Sequence, residues 1–349
     1  MKPCFISSLK PDQNITSYFL VCEKEVRATR EGKSYLRMEL GDCTGRVEAR
    51  MWDNFERDAA GFERDDFVKV QGRVENYRNK MQLMIDRIRR AAEHEIEAAD
   101  FYPHTAEDVD ALYAKLLGYV ASVQNSWLRR LLDGVVQDPA LIGKLKRAPA
   151  AKVMHHAYFG GLLEHVVSLC GLCKVVLSHY PEANSDLLLT GAVLHDVGKL
   201  EELTYERSIG YSDDGQLLGH IVQECESVAR RIDAIPGFPA TLRSLVLHML
   251  VSHHGRYEFG SPKLPMFREA LMLHYLDDLD SKMGAVRDAL ASDKGEGNWT
   301  AYSSALERRI LRVDKYRQAA EVAESRYEVG QSLVEALLRP VGKEQNDEF

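Results

Sequence analysis

A histidine and an aspartate stand side by side, His195-Asp196, at the end of an apolar run from Leu187 to Leu194, with Gly198 and Lys199 just beyond. Other histidines flank the pair: His165 before it, His220 and His253-His254 after it. A carboxylate-rich stretch from His274 to Asp280 closes the series. Each falls in a segment that reads as helix, the pattern of a metal site assembled from several helices of a bundle. Imidazole and carboxylate together suit Mn, Fe, Co, Ni and Zn rather than Ca alone. One aspartate can bridge two ions with its two oxygens, and two ions can hold the attacking and leaving oxygens of a phosphodiester. Lys199, about one turn beyond the pair, would offset phosphate charge. His195, Asp196 and Lys199 are therefore the catalytic candidates. The expected cofactor is one or two divalent ions, Mn first, with Co, Fe, Ni, Zn and Mg also admitted.

A lone histidine on an apolar face is usually a hydrogen-bonded core residue. His165 sits among Leu162, Leu163, Val166 and Leu169, and only the company of the other histidines makes it a ligand candidate. Neighbouring residues on a regular helix point about 100° apart, so His253 and His254 would not both approach one ion easily; His253 is favoured and both are kept. Cys170 and Cys173 form a single C-x-x-C inside an apolar helix, and without a second pair they read as two small buried residues.

The elements that must position these groups follow a change of pattern along the chain. Tyr18–Cys22, Ser34–Leu40, Arg46–Trp52, Phe67–Val74 and Met81–Ile88 read as strands, with a short helical piece over 53–62 between the third and fourth. Five strands with that insertion are the order of an OB-fold barrel. Its outward set, Tyr35, Arg37, Arg46, Arg50 and Trp52, shares the face of strands two and three, and the loop between strands four and five adds Tyr77, Arg78 and Lys80. Stacking rings and cations on that face suit a single nucleic-acid strand, although such barrels also bind sugars and proteins. Residues 96–106, with Pro103, read as a linker. Beyond it everything reads as helix or loop: one run with apolar positions from Val109 to Val135, a short helix after Asp138-Pro139, then 159–180, 217–232, 241–252 and 267–283. A loop is expected over 290–298 and a further helix over 302–338. A short hairpin is expected between Glu202 and Tyr211. His155-His156, just before the helix that carries His165, would lie near its N-terminal amides, a ready anion site.

Three hundred and forty-nine residues predict two domains, and 45% hydrophobic residues suffice for ordinary cores. The net charge of −8 is uneven: residues 1–95 hold 18 basic and 17 acidic side chains, the remainder 27 and 36. Six cysteines without a paired framework argue against a secreted disulfide scaffold. No N-terminal apolar segment and no apolar run near 18 residues is evident. The expectation is a cytoplasmic protein without a membrane partner, for which a homo-oligomer is admitted.

The ordered series His165, His195-Asp196, His220, His253-His254, Asp277 resembles the HD phosphohydrolase superfamily. The wording around it is narrower: His155-His156-Ala157-Tyr158, Gly160-Gly161-Leu162-Leu163-Glu164-His165, Leu217-Leu218-Gly219-His220 and Ser252-His253-His254-Gly255. It resembles the YhaM-type 3′-to-5′ exoribonucleases, which carry an OB domain before the HD domain, and the likeness covers about residues 12 to 320. The resemblance implies an N-terminal five-stranded OB-fold barrel (1–95), a linker (96–106), an all-α HD bundle (107–325) and a C-terminal helix and polar tail (326–349). It implies metal ligands at His165, His195, Asp196, His220, His253, His254 and Asp277. The family pattern of Asp, any residue, Leu, Asp matches Leu276-Asp277-Asp278-Leu279-Asp280 with Asp277 as ligand and Asp280 as its substitute. It places His155 and His156 at the substrate. The implied activity is metal-dependent hydrolysis of single-stranded RNA, with single-stranded DNA as a second candidate, from the 3′ end to nucleoside 5′-monophosphates. The alternative is a phosphohydrolase of nucleotides or cyclic dinucleotides with a regulatory OB domain.

Overall fold

The alternating stretches of the N-terminal part become strands β1 (Asn14–Ala28), β2 (Ser34–Asp42), β3 (Gly45–Met51), β4 (Phe67–Tyr77) and β5 (Lys80–Arg90), with helix α1 (Phe55–Ala59) between β3 and β4. In the computed structural model, which describes residues 2–29, 32–77, 80–97, 100–102, 104–151, 158–205, 209–293, 295–318 and 320–321, they close into one barrel in the order β1-β2-β3-β5-β4. This is the five-stranded OB barrel the strand order predicts. Period-two alternation sends Phe19, Val21, Leu36, Met38, Leu40, Ala49, Met51, Val68, Val70 and Leu83 inward, where all are buried. β2 and β3 pair antiparallel with Leu36 opposite Met51 and Arg37 opposite Arg50. The same register therefore sets Tyr35, Arg37, Arg50 and Trp52 together on the outer face. The helical piece is shorter than the 53–62 expected. Asn54 adopts a left-handed conformation (φ 56°) at its start, and the Gly61 N–H turns back to the Asp58 carbonyl at its end.

The connecting segment is packed rather than free. Phe101 and Tyr102 are buried with Leu20 and against Phe67 and Phe159, and the Thr105 N–H donates to the Phe159 carbonyl at 2.9 Å. Helices follow: α2 (Val109–Ser122), α3 (Ser126–Val136), α4 (Pro139–Arg147), α5 (Gly161–His179), α6 (Ser185–Leu194), α7 (Lys199–Glu202), α8 (Asp213–Asp233), α9 (Ala240–Ser252) and α10 (Arg268–Ser292). Asp108, Asn125, Asp138, Asn184 and Ser212 cap α2, α3, α4, α6 and α8 through their side chains. The Asn125 cap splits what the apolar pattern suggested was one run over 109–135. Leu128, Leu132, Leu163, Leu169, Leu188, Leu194, Met249, Leu250 and Leu273 form one core with their neighbours. Strands β6 (Leu203–Thr204) and β7 (Gly210–Tyr211) make the expected hairpin.

Three expectations need correction. α10 runs to Ser292, through the start of the loop expected over 290–298. Residues 302–312 are not helical: bridges join Ser303 to Arg308 and Trp299 to Leu311. There the Thr300 hydroxyl accepts from the Ile310 N–H, a donor that a helix would have needed, and the Arg312 guanidinium ties the segment back to the Gly297 and Trp299 carbonyls. Helix begins at residue 313, and the part expected beyond 321 lies outside the described residues. Finally, α5 is long and apolar enough by length and composition to cross a bilayer, against the expectation of no such run. It places Leu162, Leu163, Val166, Leu169 and Cys170 in the helical core. By internal contacts the chain divides into Met1–Ser281 and Lys282–Phe349.

Candidate metal centre and nucleic-acid face

Five elements converge on one buried polar cluster. His165 comes from the first turns of α5, and His195-Asp196 from the end of α6. His220 comes from α8, His253-His254 from the turn after α9, and Asp277 from α10. Their ligand atoms form two groups. His165, His195 and Asp277 offer one atom each, all within 4.8 Å of one another; His220, His253 and His254 do the same. Asp196 stands between them. Its Oδ2 lies 3.4 Å from His195 Nε2 and 3.8 Å from His165 Nε2, while its Oδ1 lies 3.8 Å from His220 Nε2.

The second nitrogen of every ring explains the arrangement. Nδ1 of His165 donates to Asp280 Oδ2 at 2.8 Å, of His195 to the Ala192 carbonyl at 3.1 Å, and of His220 to Glu202 Oε1 at 3.2 Å. Nδ1 of His253 donates to the Leu250 carbonyl at 2.7 Å and of His254 to the Phe259 carbonyl at 2.8 Å. Each bond fixes the tautomer that leaves Nε2 with its lone pair turned toward the cluster, which is how proteins orient imidazole for a metal. Nε2 of His220, Nε2 of His253 and Oδ1 of Asp196 are buried with no hydrogen-bond partner. Buried polar atoms without a partner are costly, and three of them facing one another fit a divalent ion.

Two breaks in helical geometry make this possible. Gly219 leaves the helix inside α8 (φ 72°, ψ 164°), which frees the His220 N–H to donate to Glu202 Oε1 at 3.1 Å. α9 ends at Ser252, so His253 and His254 occupy a turn, with ring centroids 4.3 Å apart. No regular helix continues there, so the divergence of about 100° that would have made it hard for both rings to approach one ion does not apply, and His253 and His254 fall in one group with His220. Of the two aspartate candidates, Asp277 puts Oδ1 3.2 Å from His165 Nε2. Asp280 faces the other side of the ring, holding His165 Nδ1 and the Ser168 hydroxyl at 2.5 Å.

The charges support one another. Burial opposes the ionised form of Asp196, yet Lys199 and His195 hold its carboxyl well below the usual range, the Lys199 ammonium bonding Oδ2 at 2.7 Å. Lys199 therefore faces a carboxylate of the site. Burial would lower His195, but Asp196 and Asp277 outweigh it and push the ring up to about 10 without an ion; a divalent ion would take the place of the Nε2 proton and leave the lone pair to ligate. Asp277 is likewise held low against its burial by His165 and His195. Burial, with His254 and His195 close by, drives His253 well below the ordinary imidazole value, so that ring is neutral.

Sequence reading missed Glu202 and Glu224. Glu202 pairs with His220 across the fold and nothing in spacing announces it. Glu224 is fully buried four residues after His220 on the same helix face, with Oε1 3.7 Å from His253 Nδ1. Burial and the Asp196 charge raise its carboxyl well above the usual value, so it is neutral. Its i,i+4 spacing from His220 was the available signal.

On the barrel, Tyr35 and Trp52 stack at 4.5 Å with 25° between their planes. The Arg50 guanidinium lies 5.7 Å from the Tyr35 ring and 6.0 Å from Tyr77. Arg37 is tied to Glu23, Glu25 and Glu48, Arg50 to Glu48, and Arg46 to Glu39. His155, His156 and Arg78 lie outside the described residues.

Family models agree with this division: residues 21–91 match an OB-fold nucleic acid binding domain and residues 162–282 an HD domain. An OB barrel ahead of a histidine-aspartate helical centre defines a phosphohydrolase of the HD class joined to a nucleic-acid-binding module. The 3′-5′ exoribonuclease YhaM of Geobacillus sp. (strain WCH70) is 36% identical over 298 residues, covering 85% of this chain and 91% of that protein. Those of Bacillus velezensis (35%; 88% and 96%) and Bacillus subtilis strain 168 (33%; 85% and 94%) match over similar spans. The chain belongs to the YhaM family of 3′-5′ exoribonucleases.

Proposed function

We propose that this chain is a metal-dependent exoribonuclease that shortens single-stranded RNA from its 3′ end and releases nucleoside 5′-monophosphates. The observation that carries the reading is the common orientation of five histidines, each held through Nδ1, with Nε2 of His165, His195 and His220 within 3.8 Å of Asp196 and with His253 and His254 grouped around His220. His165, His195, Asp196 and Asp277 would hold one divalent ion, and Asp196, His220, His253 and His254 a second, with Mn the ion expected first. Such ions, when bound, polarise phosphoryl oxygens and supply a nucleophilic water at neutral pH.

The chain's own groups do the positioning. Lys199 keeps Asp196 ionised and fixes its rotamer. Asp280 and Glu202 hold His165 and His220 in the ligating tautomer. The Tyr35–Trp52 stack and the Arg50 cation give successive bases a platform on the barrel. In the reaction, a water oxygen bonds to the terminal phosphorus and the bond from phosphorus to the O3′ of the preceding nucleotide breaks. The water proton ends on that O3′, and the shortened strand keeps a 3′-hydroxyl.

The test is a time course with 5′-labelled single-stranded RNA and Mn, wild type beside Asp196→Ala. The expected result is a ladder descending from the 3′ end in the wild type and none in the variant, with strand binding retained. Turnover by Asp196→Ala would overturn the metal assignment. Intact RNA in the wild-type lane would overturn the exonuclease reading and favour nucleoside triphosphates or cyclic dinucleotides as substrates.

A further inference from the structure

We infer that Arg256, Tyr257 and Phe259 form the seat of the 3′-terminal base at the mouth of the HD centre; this rests on the exoribonuclease reading above. The ring of His254 that offers Nε2 to the cluster donates Nδ1 to the Phe259 carbonyl at 2.8 Å. The segment is thus one hydrogen bond from the candidate ligands. It is also rigid. Phe259 N–H donates to the Arg256 carbonyl at 3.1 Å, Gly260 N–H to the Tyr257 carbonyl at 3.0 Å, and Ser261 N–H to the Arg256 carbonyl at 3.1 Å. Ser261 is itself buried and anchors to the Val251 and Lys263 carbonyls.

On this fixed turn the aromatic side chains remain in solvent, Tyr257 63% and Phe259 51% exposed. The Arg256 guanidinium lies 5.6 Å from the Phe259 ring centroid. Arg256 makes no ion pair among the described residues, whereas Arg37, Arg46 and Arg50 on the barrel are each held by a glutamate. An exposed, preorganised ring beside an unpaired cation has the chemistry of a nucleotide seat: the ring takes the base face and the guanidinium takes phosphate. The barrel platform grips the strand wherever it lies. This turn would grip only the end being removed.

The experiment compares oligoribonucleotides ending in an ordinary nucleotide or in an abasic ribose, with the full chain and Mn. In the wild type, removing the terminal base should lower kcat/KM by about 5- to 100-fold, the range for one stacked base. In Phe259→Leu, which keeps apolar bulk but has no ring face, the two strands should differ by less than about 2-fold, and Phe259→Tyr should restore the difference. A second readout uses 2-aminopurine at the 3′ terminus in the Asp196→Ala background, where the strand is not consumed. Its fluorescence should be quenched on binding, and the quench should vanish with Phe259→Leu. A base effect that persists undiminished in both Phe259→Leu and Tyr257→Ala would overturn the seat. A wild type that leaves RNA intact would overturn the exonuclease reading and this inference with it.

Discussion

At the scale of single residues, the site is decided by which nitrogen of each imidazole is occupied. The types and order of His165, His195, Asp196, His220, His253, His254 and Asp277 were legible, because the chemistry demands those types whatever the fold. What holds each ring was not legible, because partners such as Glu202 for His220 are made by tertiary contact between α7 and the kinked α8. That pairing gives a prediction. Removing an outer partner of a ligating histidine weakens metal binding by about 10- to 100-fold. Calorimetric titration of Mn into Glu202→Ala should show that loss, and Glu202→Gln, which can still accept from Nδ1, should recover part of it. Equal affinities in all three proteins would show that Glu202 does not act through His220.

At the scale of elements, the decisive features are where helices stop. Apolar periodicity placed α9 over 241–252 with Gly255 as its stop, and the helix does end at Ser252; what it did not show is that the turn beyond brings the rings of His253 and His254 together. The residue that fixes the stop is Gly255. Its φ of 71° is unfavourable for any side chain, and a Cβ there would collide with the His274 ring, which in turn donates to the His253 carbonyl at 3.0 Å. Gly198 is similar: a Cβ would strike the His220 carbonyl. Gly255→Ala should therefore cost about 2–4 kcal/mol of stability, the scale of a buried steric and backbone conflict. The same change should weaken Mn binding, because the His253–His254 turn moves with it. Thermal unfolding with and without Mn reads both effects, and a melting temperature within about 1 °C of wild type in both conditions would refute the account. The 302–312 segment teaches the same lesson: helical propensity there yields to side-chain hydrogen bonds that no periodicity count registers.

At the scale of the molecule, an acidic protein has to hold an acidic strand. The barrel has nearly balanced charge, 18 basic and 17 acidic side chains over residues 1–95, and the strand-binding face proposed for it carries Arg37, Arg46 and Arg50. The structure adds that its arginines are already paired, Glu48 alone serving both Arg37 and Arg50 at 3.6 and 2.7 Å. Each phosphate neutralised by a free cation would contribute roughly −0.7 to the slope of log affinity against log salt for a single strand. Cations that leave a glutamate to meet a phosphate contribute less, because one ion pair replaces another. Strand binding by this chain should therefore be carried by the Tyr35–Trp52 stack and depend weakly on salt, with a slope no steeper than about −2. Glu48→Gln tests the point in the opposite direction from most substitutions. It should tighten binding at low salt and steepen the slope, while Trp52→Ala should weaken binding by about 5- to 100-fold with the slope unchanged. Glu48 and its two arginines are half-buried, and Gln keeps the side-chain shape and an amide oxygen that can accept from Arg50 and Gln82, so Glu48→Gln should fold normally. Fluorescence anisotropy of a labelled single-stranded RNA across a salt series, in the Asp196→Ala background, measures all three quantities. A Glu48→Gln protein that binds no tighter than its parent would show that Arg37 and Arg50 do not meet the strand.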